Sequence, residues 1–325
     1  MDVFLKNKNH KKKLIISIVT PCLNEENNID ACYKEVKRVM EKDLPNFSYE
    51  HIFCDNNSSD KTLEKIKAIA KKDKNIKLIA YSRNFGAFAS VFNGMLRATG
   101  DAIIPMLAAD LQDPPSVIPK MVKLWRNGYK VIYGQRKDRQ EGCVMKLFRN
   151  LYYLMVEKSS NVKVHRNVGE FTLIDKKVQD VLRDFDDYFP YLRGMISSCG
   201  FKSAVVQYKW GVRKEGVSTG SPLILINDAI NGLISFTNLP MRLCMFGGII
   251  VSSLSLLYVI YSLIVVTFLP TQAAPGISLI ITAIFLFFGI TFIFLGILGE
   301  YISAIHFQVR KKPLVVIEET VNFKT

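Results

Sequence analysis

Asp110-Leu111-Gln112-Asp113-Pro114-Pro115 holds the densest set of chemically useful side chains in this sequence. Carboxylate and amide oxygens one residue apart, just past a predicted strand, can reach one hard cation from the same side. Mg2+ or Mn2+ bound in this way usually completes its shell with substrate phosphates. The plainer reading makes Asp113 the N-cap of a helix opening at Pro115. A second cluster, Asp55-Asn56-Asn57-Ser58-Ser59-Asp60, either presents acceptors to a ribose or base edge or forms a turn into a capped helix. Asn84-Phe85-Gly86 is a glycine-containing loop that says little alone. Arg136-Lys137-Asp138-Arg139 carries two guanidinium groups suited to bidentate phosphate contacts, or is a solvated charge run. Glu170, in Asn167-Val168-Gly169-Glu170-Phe171, sits among glycine and apolar residues, which suits a partly buried role or an arginine partner.

The elements that must position these residues alternate along the chain. Predicted strands cover Leu14–Thr20, Tyr49–Cys54, Ile76–Tyr81, Ala102–Leu107 and Lys130–Gly134. Predicted helices cover Asn27–Lys42, Lys61–Lys72 (with Ser59 or Asp60 as N-cap), Ala87–Ala98 and Pro115–Asn127. Such alternation implies an α/β fold with a mostly parallel sheet and helices on both faces. Ligands of these folds bind beyond the carboxyl ends of the strands, where every cluster above falls. No G-x-G-x-x-G follows the first strand and no P-loop occurs, which disfavours a dinucleotide oxidoreductase or a P-loop NTPase.

The chain has 325 residues, 49% hydrophobic, with a net charge of +14. Its apolar content is segregated: residues 243–299 contain no Asp, Glu, Lys or Arg. A turn-rich break at Leu269–Gly276 divides this block into Cys244–Phe268 and Ile277–Leu298, each long enough to span a hydrocarbon core of about 30 Å. Arg242 precedes the first span and Arg310, Lys311 and Lys312 follow the second, so the sequence predicts a multi-pass protein of the cytoplasmic membrane with both termini in the cytoplasm. The expected organisation is a basic tail over 1–13, a cytoplasmic catalytic domain over 14–221, an interfacial helix over 222–242, two membrane helices within 243–299, and a cytoplasmic tail over 300–325. Residues 1–242 hold nearly all the positive charge. With no nucleic-acid motif present, anionic lipids and phosphate-bearing substrates account for it better than nucleic acid. The run Leu14–Val19 is too short for a signal peptide. Cys143–Val156 is amphipathic, as core packing or as an interfacial helix. Six cysteines without metal spacing suit a reduced compartment.

Taken in order, these pieces resemble the family-2 inverting glycosyltransferases of the GT-A fold, and more narrowly the polyprenyl-phosphate glycosyltransferases of the bactoprenol glucosyltransferase and dolichol-phosphate mannose synthase type. The resemblance runs from Ile18-Val19-Thr20-Pro21-Cys22-Leu23-Asn24-Glu25-Glu26, through Arg83-Asn84-Phe85-Gly86, Ala109-Asp110-Leu111-Gln112-Asp113-Pro114-Pro115 and Asn167-Val168-Gly169-Glu170-Phe171, to Gly299-Glu300-Tyr301-Ile302. Arg213, Gly216 and Ser218 match an R-x-x-G-x-S element ahead of the hairpin. It implies that Pro21, Leu23, Glu25, Asp55, Asn56 and Ser58, with Asn84 and Gly86, hold a UDP- or GDP-sugar. It assigns Mg2+ or Mn2+ to Asp110 and Gln112, and the lipid phosphate to Arg136, Arg139, Arg213 and Ser218. Asp110, Asp113, Glu170, Arg136 and Arg139 form the implied catalytic set. The implied partners are a nucleotide-sugar donor, a polyprenyl phosphate acceptor and membrane lipids, and homo-oligomers occur in the resembled family. The sequence departs from the family pattern at three places: Ala108 replaces the first D-x-D aspartate, Glu170 replaces an aspartate, and the second turn reads Asp55-Asn56-Asn57-Ser58. Loss of a metal carboxylate lowers cation affinity or leaves its place to Asp113. The alternatives are a different lipid or glycan acceptor, or a non-catalytic membrane scaffold descended from a transferase.

Overall fold

The computed structural model describes residues 13–137, 168–185, 187, 190–211, 239–268, 277–310 and 312–323. They fall into two compact units. One unit contains the sheet, made by residues up to 211 together with 313–323, and the other contains two long helices.

Eight strands form the sheet: β1 (Ile15–Cys22), β2 (Ser48–Asp55), β3 (Ile76–Tyr81), β4 (Ala102–Ile104), β5 (Val131–Lys137), β6 (Val168–Asp175), β7 (Ser203–Lys209) and β8 (Ile317–Val321). Their order is β7-β5-β6-β4-β1-β2-β3-β8. Parallel pairing joins β4, β1, β2 and β3, and also β5 to β7. The helices of this unit are α1 (Ile29–Arg38, running on as a π-turn over Val39–Asp43), α2 (Thr62–Lys72), α3 (Ala87–Arg97), α4 (Ile118–Arg126, entered through a 3-10 turn at Pro115–Val117), α5 (Lys176–Arg183) and α6 (Leu192–Ser198).

Burial explains the layering. In α1 the buried residues Ile29, Cys32 and Val36 recur at helical spacing, as do Thr62, Ile66 and Ala70 in α2. Each lines one stripe against a sheet of Ile16, Ile18, Phe53, Ile76 and Leu78, all fully buried. Truncating one of these, such as Ile66→Ala, would cost about 2–5 kcal/mol. The α3 helix lies closest. A Cβ on Gly94 would stand 2.5 Å from Cys54 Sγ and 2.8 Å from Val19 Cγ1, so only glycine lets the helix rest on the β1–β2 pair.

At the starting ends of the strands, the buried carboxylate of Glu50 gathers Ser17 Oγ, Lys77 Nζ, Thr99 N and Thr99 Oγ1. Burial alone would raise its pKa, but the bonds from Lys77, Ser17 and Thr99 bring the net shift downward. This network ties β1, β2 and β3 to the turn before β4.

The structure departs from the sequence expectations in four ways. β4 stops at Ile104, because Pro105 has no N–H for the ladder, and Leu107 N instead donates to Val19 O at 2.9 Å. β6 runs antiparallel to both β4 and β5 and separates them, its buried Val168, Phe171, Leu173 and Ile174 suiting a central position. The segment from residue 300, expected as a tail, continues as helix to Val309 and then supplies β8, which pairs antiparallel with β3. Asp113 is no helix cap: no side chain caps the turn at Pro115, and the Asp113 carboxylate is bonded elsewhere.

The second unit holds α7 (Leu239–Phe268) and α8 (Ile277–Val309). Among the described residues, Phe287–Val309 is the stretch long and apolar enough to cross a membrane, by length and composition, and none of it is buried. The expected basic tail up to residue 12, the amphipathic Cys143–Val156, the loop 269–276 and most of the expected interfacial helix lie outside the described residues. Residues 239–242 of that expected helix begin α7.

Candidate active site

Parallel β1, β2 and β3 deliver their carboxyl ends to one rim. Asp55 is the last residue of β2, in register with Cys22. Its carboxylate is fully buried and accepts from Ser58 Oγ and, at 3.2 Å, from Ser58 N. Burial, the largest influence, raises the Asp55 pKa against the pull of the Ser58 bonds. The loops after β1 and β2 are stitched together. Asn24 N donates to Ser58 Oγ at 3.0 Å, and Ser59 N returns to Asn24 Oδ1 at 2.8 Å. Glu25 N reaches Thr62 Oγ1 at 2.8 Å and Glu26 N reaches Asp60 Oδ2 at 3.1 Å. Asp60 Oδ1 accepts from Thr62 N at 2.9 Å, but the N-cap of α2 is Lys61, without a side-chain cap, rather than the expected Ser59 or Asp60. Asn24 and Asn57 hold left-handed backbones, with φ of 55° and 61°, a conformation asparagine tolerates. Pro21 lies inside β1 rather than after it, and Leu23 follows partly exposed.

Asn56 joins a third loop to this pair. Its Nδ2 donates to Ser90 Oγ at 2.7 Å, and its Oδ1 accepts from Phe85 N at 3.4 Å. Asn84 Oδ1 accepts from Gly86 N at 2.8 Å, and both residues are exposed. Pro21 and Asp55, at the ends of β1 and β2, and Leu23, Glu25, Asn56, Ser58, Asn84 and Gly86, from three loops, therefore share one rim.

Past β4 the chain turns at Leu111, with φ of 57°, and Asp110 Oδ1 accepts from Gln112 N at 3.1 Å. Gly211 N, just beyond β7, donates to Gln112 O at 2.8 Å and fixes the same turn. The Asp110 carboxylate and the Gln112 amide are both partly exposed. One carboxylate and one amide oxygen are donors of the kind Mg2+ or Mn2+ takes, and such an ion would need phosphate and water to complete its shell. Among the described residues no group of three or more His, Cys, Asp or Glu could hold a metal unaided.

Asp113 belongs to a different structure. Arg136 Nη2 donates to both of its oxygens, at 3.2 and 3.1 Å, and Tyr208 OH donates to Oδ1. Arg136 Nε contacts Tyr208 OH at 3.4 Å, and its guanidinium lies 4.5 Å from the centre of the Trp210 ring. On another side the guanidinium packs against Gly169, where a Cβ would meet it at 3.4–3.5 Å. Burial would lower the Arg136 pKa, but Asp113 and Tyr208 reverse this and the net direction is upward. Glu170 is paired with Arg193 Nη2 at 2.7 Å, and the Arg193 guanidinium lies 5.7 Å from the centre of the Tyr191 ring. Arg139, Arg213 and Ser218 lie outside the described residues.

The glycosyl transferase family 2 model matches residues 17–183 of this chain. The chain belongs to glycosyltransferase family 2. Among similar proteins, the SfII prophage-derived bactoprenol glucosyl transferase of Shigella flexneri is 33% identical over 94% of this chain and 98% of its own length. The uncharacterized glycosyltransferase YkcC of Bacillus subtilis is 32% identical over 94% and 93%. A solved structure, glucosyl-3-phosphoglycerate synthase from Mycobacterium tuberculosis with Mn2+, UDP and phosphoglyceric acid, shares 18% identity over 66% of this chain and 74% of that one, with a TM-score of 0.46.

The transferase thus carries its candidate residues on a mixed α/β sheet. Sequence reading missed Tyr208, Trp210 and Arg193. The apolar–polar alternation Val206-Gln207-Tyr208-Lys209 was the signal for Tyr208, and β7 buries Val206 and Tyr208. Nothing local marked Arg193, whose partner stands 23 residues earlier.

Proposed function

We propose that this transferase moves one sugar from a nucleotide-sugar, of the UDP type, to a polyprenyl phosphate such as undecaprenyl phosphate at the cytoplasmic leaflet. The observation that carries the reading is the fixed guanidinium of Arg136, held by a carboxylate three residues from Asp110. One loop thereby links a cation-suited turn to a phosphate-suited arginine. The similarity to the bactoprenol glucosyl transferase supports the acceptor.

The reaction asks little of side-chain bases. A lipid phosphate with a second pKa near about 6 is mostly dianionic at pH 7, so its oxygen attacks the anomeric carbon directly. A new carbon–oxygen bond forms as the bond to the nucleoside diphosphate breaks, with inversion. The protein's task is to hold the two partners in line. Asp55, Asn56 and Ser58 present the nucleotide side. Arg136, with Arg139, Arg213 and Ser218, orients the incoming phosphate. Glu170, held by Arg193, sets the charge beside the acceptor. Asp110 and Gln112 would hold Mg2+ or Mn2+, which supplies Lewis-acid neutralisation of the departing diphosphate. Both α7 and α8 are read as membrane-spanning, with the sheet unit and both termini cytoplasmic, anionic lipids as neighbours and a homo-oligomer as the proposed assembly.

Purified full-length protein incubated with undecaprenyl phosphate, Mg2+ or Mn2+, and labelled UDP-glucose, UDP-GlcNAc, UDP-galactose or GDP-mannose tests this. One labelled lipid is the expected product. No labelled lipid from any donor, with folded protein, would defeat the reading, and product with a glycan acceptor alone would defeat its acceptor half.

A further inference from the structure

The chain that leaves α8 at Val309 re-enters the sheet seven residues later as β8. Pairing with β3 runs from Leu78 opposite Val321 to Tyr81 opposite Ile317, with an irregular step between Ala80 and Tyr81. Beyond the last pair, Ser82 N donates to Val316 O at 3.1 Å. The far end is pinned separately. Asn322 Nδ2 donates to Ala70 O and Ile76 O, both at 2.8 Å, and Lys74 Nζ donates to Asn322 Oδ1 at 3.1 Å.

Ser82 opens the loop that ends at Gly86. In this loop the Arg83 guanidinium lies 3.9 Å from the Phe85 ring centre, and Phe85 N donates to Asn56 Oδ1, next to Asp55. Ser82, Arg83, Asn84 and Gly86 are exposed, so few packing contacts hold the loop. Its course is set by the Phe85–Asn56 bond and the packing of Phe85 on Tyr81, and by its two ends: α3 at Gly86, which takes a positive φ of 87°, and the β3–β8 pair at Ser82.

We propose that β8 positions the loop 82–86, so that nucleotide affinity depends on a strand supplied from beyond α8. The inference rests on the donor reading above and assigns that site an additional structural determinant. Covering the free edge of β3 would be a purely protective role. Such a role would change stability without favouring one substrate over the other.

The test uses the full-length chain. Ile317→Pro fixes φ next to Val316, whose carbonyl accepts from Ser82 N, and so disturbs that bond while leaving the Asn322 anchor in place. Asn322→Ala loosens the other end. UDP and GDP, each with Mn2+, are titrated into the wild type and both variants by calorimetry, alongside melting curves and acceptor kinetics. Disturbing the Ser82–Val316 tie should weaken nucleotide binding roughly 3- to 10-fold in Ile317→Pro. The KM for undecaprenyl phosphate should stay within about twofold of wild type. Asn322→Ala should lower the melting temperature with a smaller change in nucleotide affinity. Wild-type nucleotide affinity in Ile317→Pro overturns the inference, as do losses that track melting temperature equally in both variants. Binding of neither nucleotide by the wild type overturns the donor reading, and this inference with it. Amide exchange in the wild type gives a check that needs no variant: added UDP should slow 82–86 and 316–321 together, and slowing of 82–86 alone counts against the proposal.

Discussion

Replacing Asp113 by asparagine removes one charge and leaves the shape. In the native structure both Asp113 oxygens accept from Arg136 Nη2, and Tyr208 OH donates to one of them. The two charged side chains are 8% and 22% exposed, so the pair is largely withdrawn from water. Losing one partner of a buried pair costs about 3–5 kcal/mol. Asparagine keeps a carbonyl acceptor and Arg136 retains some solvent, which brings the expected loss to about 2 kcal/mol. For a domain of this size that corresponds to a fall of about 4–8 °C in melting temperature. The guanidinium would also lose its alignment, and the acceptor KM should rise about tenfold, equivalent to about 1.4 kcal/mol. Scanning fluorimetry reads the first effect and initial rates over acceptor concentration read the second. A double-mutant cycle with Tyr208→Phe should show coupling of about 0.5–3 kcal/mol, as expected within one network. Additivity within about 0.5 kcal/mol, or an Asp113→Asn protein with native stability and kinetics, would refute the argument that Asp113 acts through Arg136.

Asp110→Asn should reduce turnover at least about 100-fold and raise the Mn2+ concentration for half-activity, whereas Asp113→Asn should leave that metal dependence unchanged; EDTA should abolish wild-type activity and added Mn2+ restore it. Asp55→Asn should melt higher than wild type at pH 7–8 while losing nucleotide affinity in calorimetry. The raised pKa of this buried acid means that its ionised form opposes folding once pH exceeds the folded-state value, so wild-type stability falls as pH rises through it. His51 behaves in the opposite sense. It is fully buried, with Nε2 2.8 Å from Thr20 Oγ1, and burial pushes its pKa down to about 3. The unfolded chain takes up that proton near about pH 6.5, so stability present above this pH is lost between there and about 3, at up to about 1.4 kcal/mol per pH unit. His51→Gln should flatten that part of the acid-unfolding curve.

What was legible in the sequence was local. Asp110 and Gln112 lie two residues apart after a strand, and Asp55 to Ser58 are contiguous, so spacing alone brought them together. The strand β3 matched its expected residues because Ile76–Tyr81 is bounded by polar turns. For Asp113 the sequence leaves two readings, a cap before Pro114 and Pro115 or a site residue, and neither points to the partners it has. Its partners stand 23 and 95 residues away, beyond the reach of any spacing rule. The same distance hid the pairing of Arg193 with Glu170. The strand β8 did leave a trace: Val315-Val316-Ile317-Glu318-Glu319-Thr320-Val321 is rich in β-branched residues, but its partner β3 lies more than 230 residues earlier. Antiparallel β6 was hidden for a related reason, because its place in the sheet is set by β4 and β5 together.

The Glu50 network at the strand starts and the loop cluster at the opposite rim divide the work of the sheet. Ser17, Glu50, Lys77 and Thr99 hold the strands together at the end of the sheet away from the candidate site. In a saturation-mutagenesis map scored twice, for protein abundance and for turnover per molecule, substitutions at these four positions should deplete the first score. Those at Asp55 and Asp110 should deplete the second at near-normal abundance, and those at Arg136 should deplete both, because Arg136 balances the buried Asp113. Stability can therefore be engineered from one end of the sheet while specificity is varied from the other.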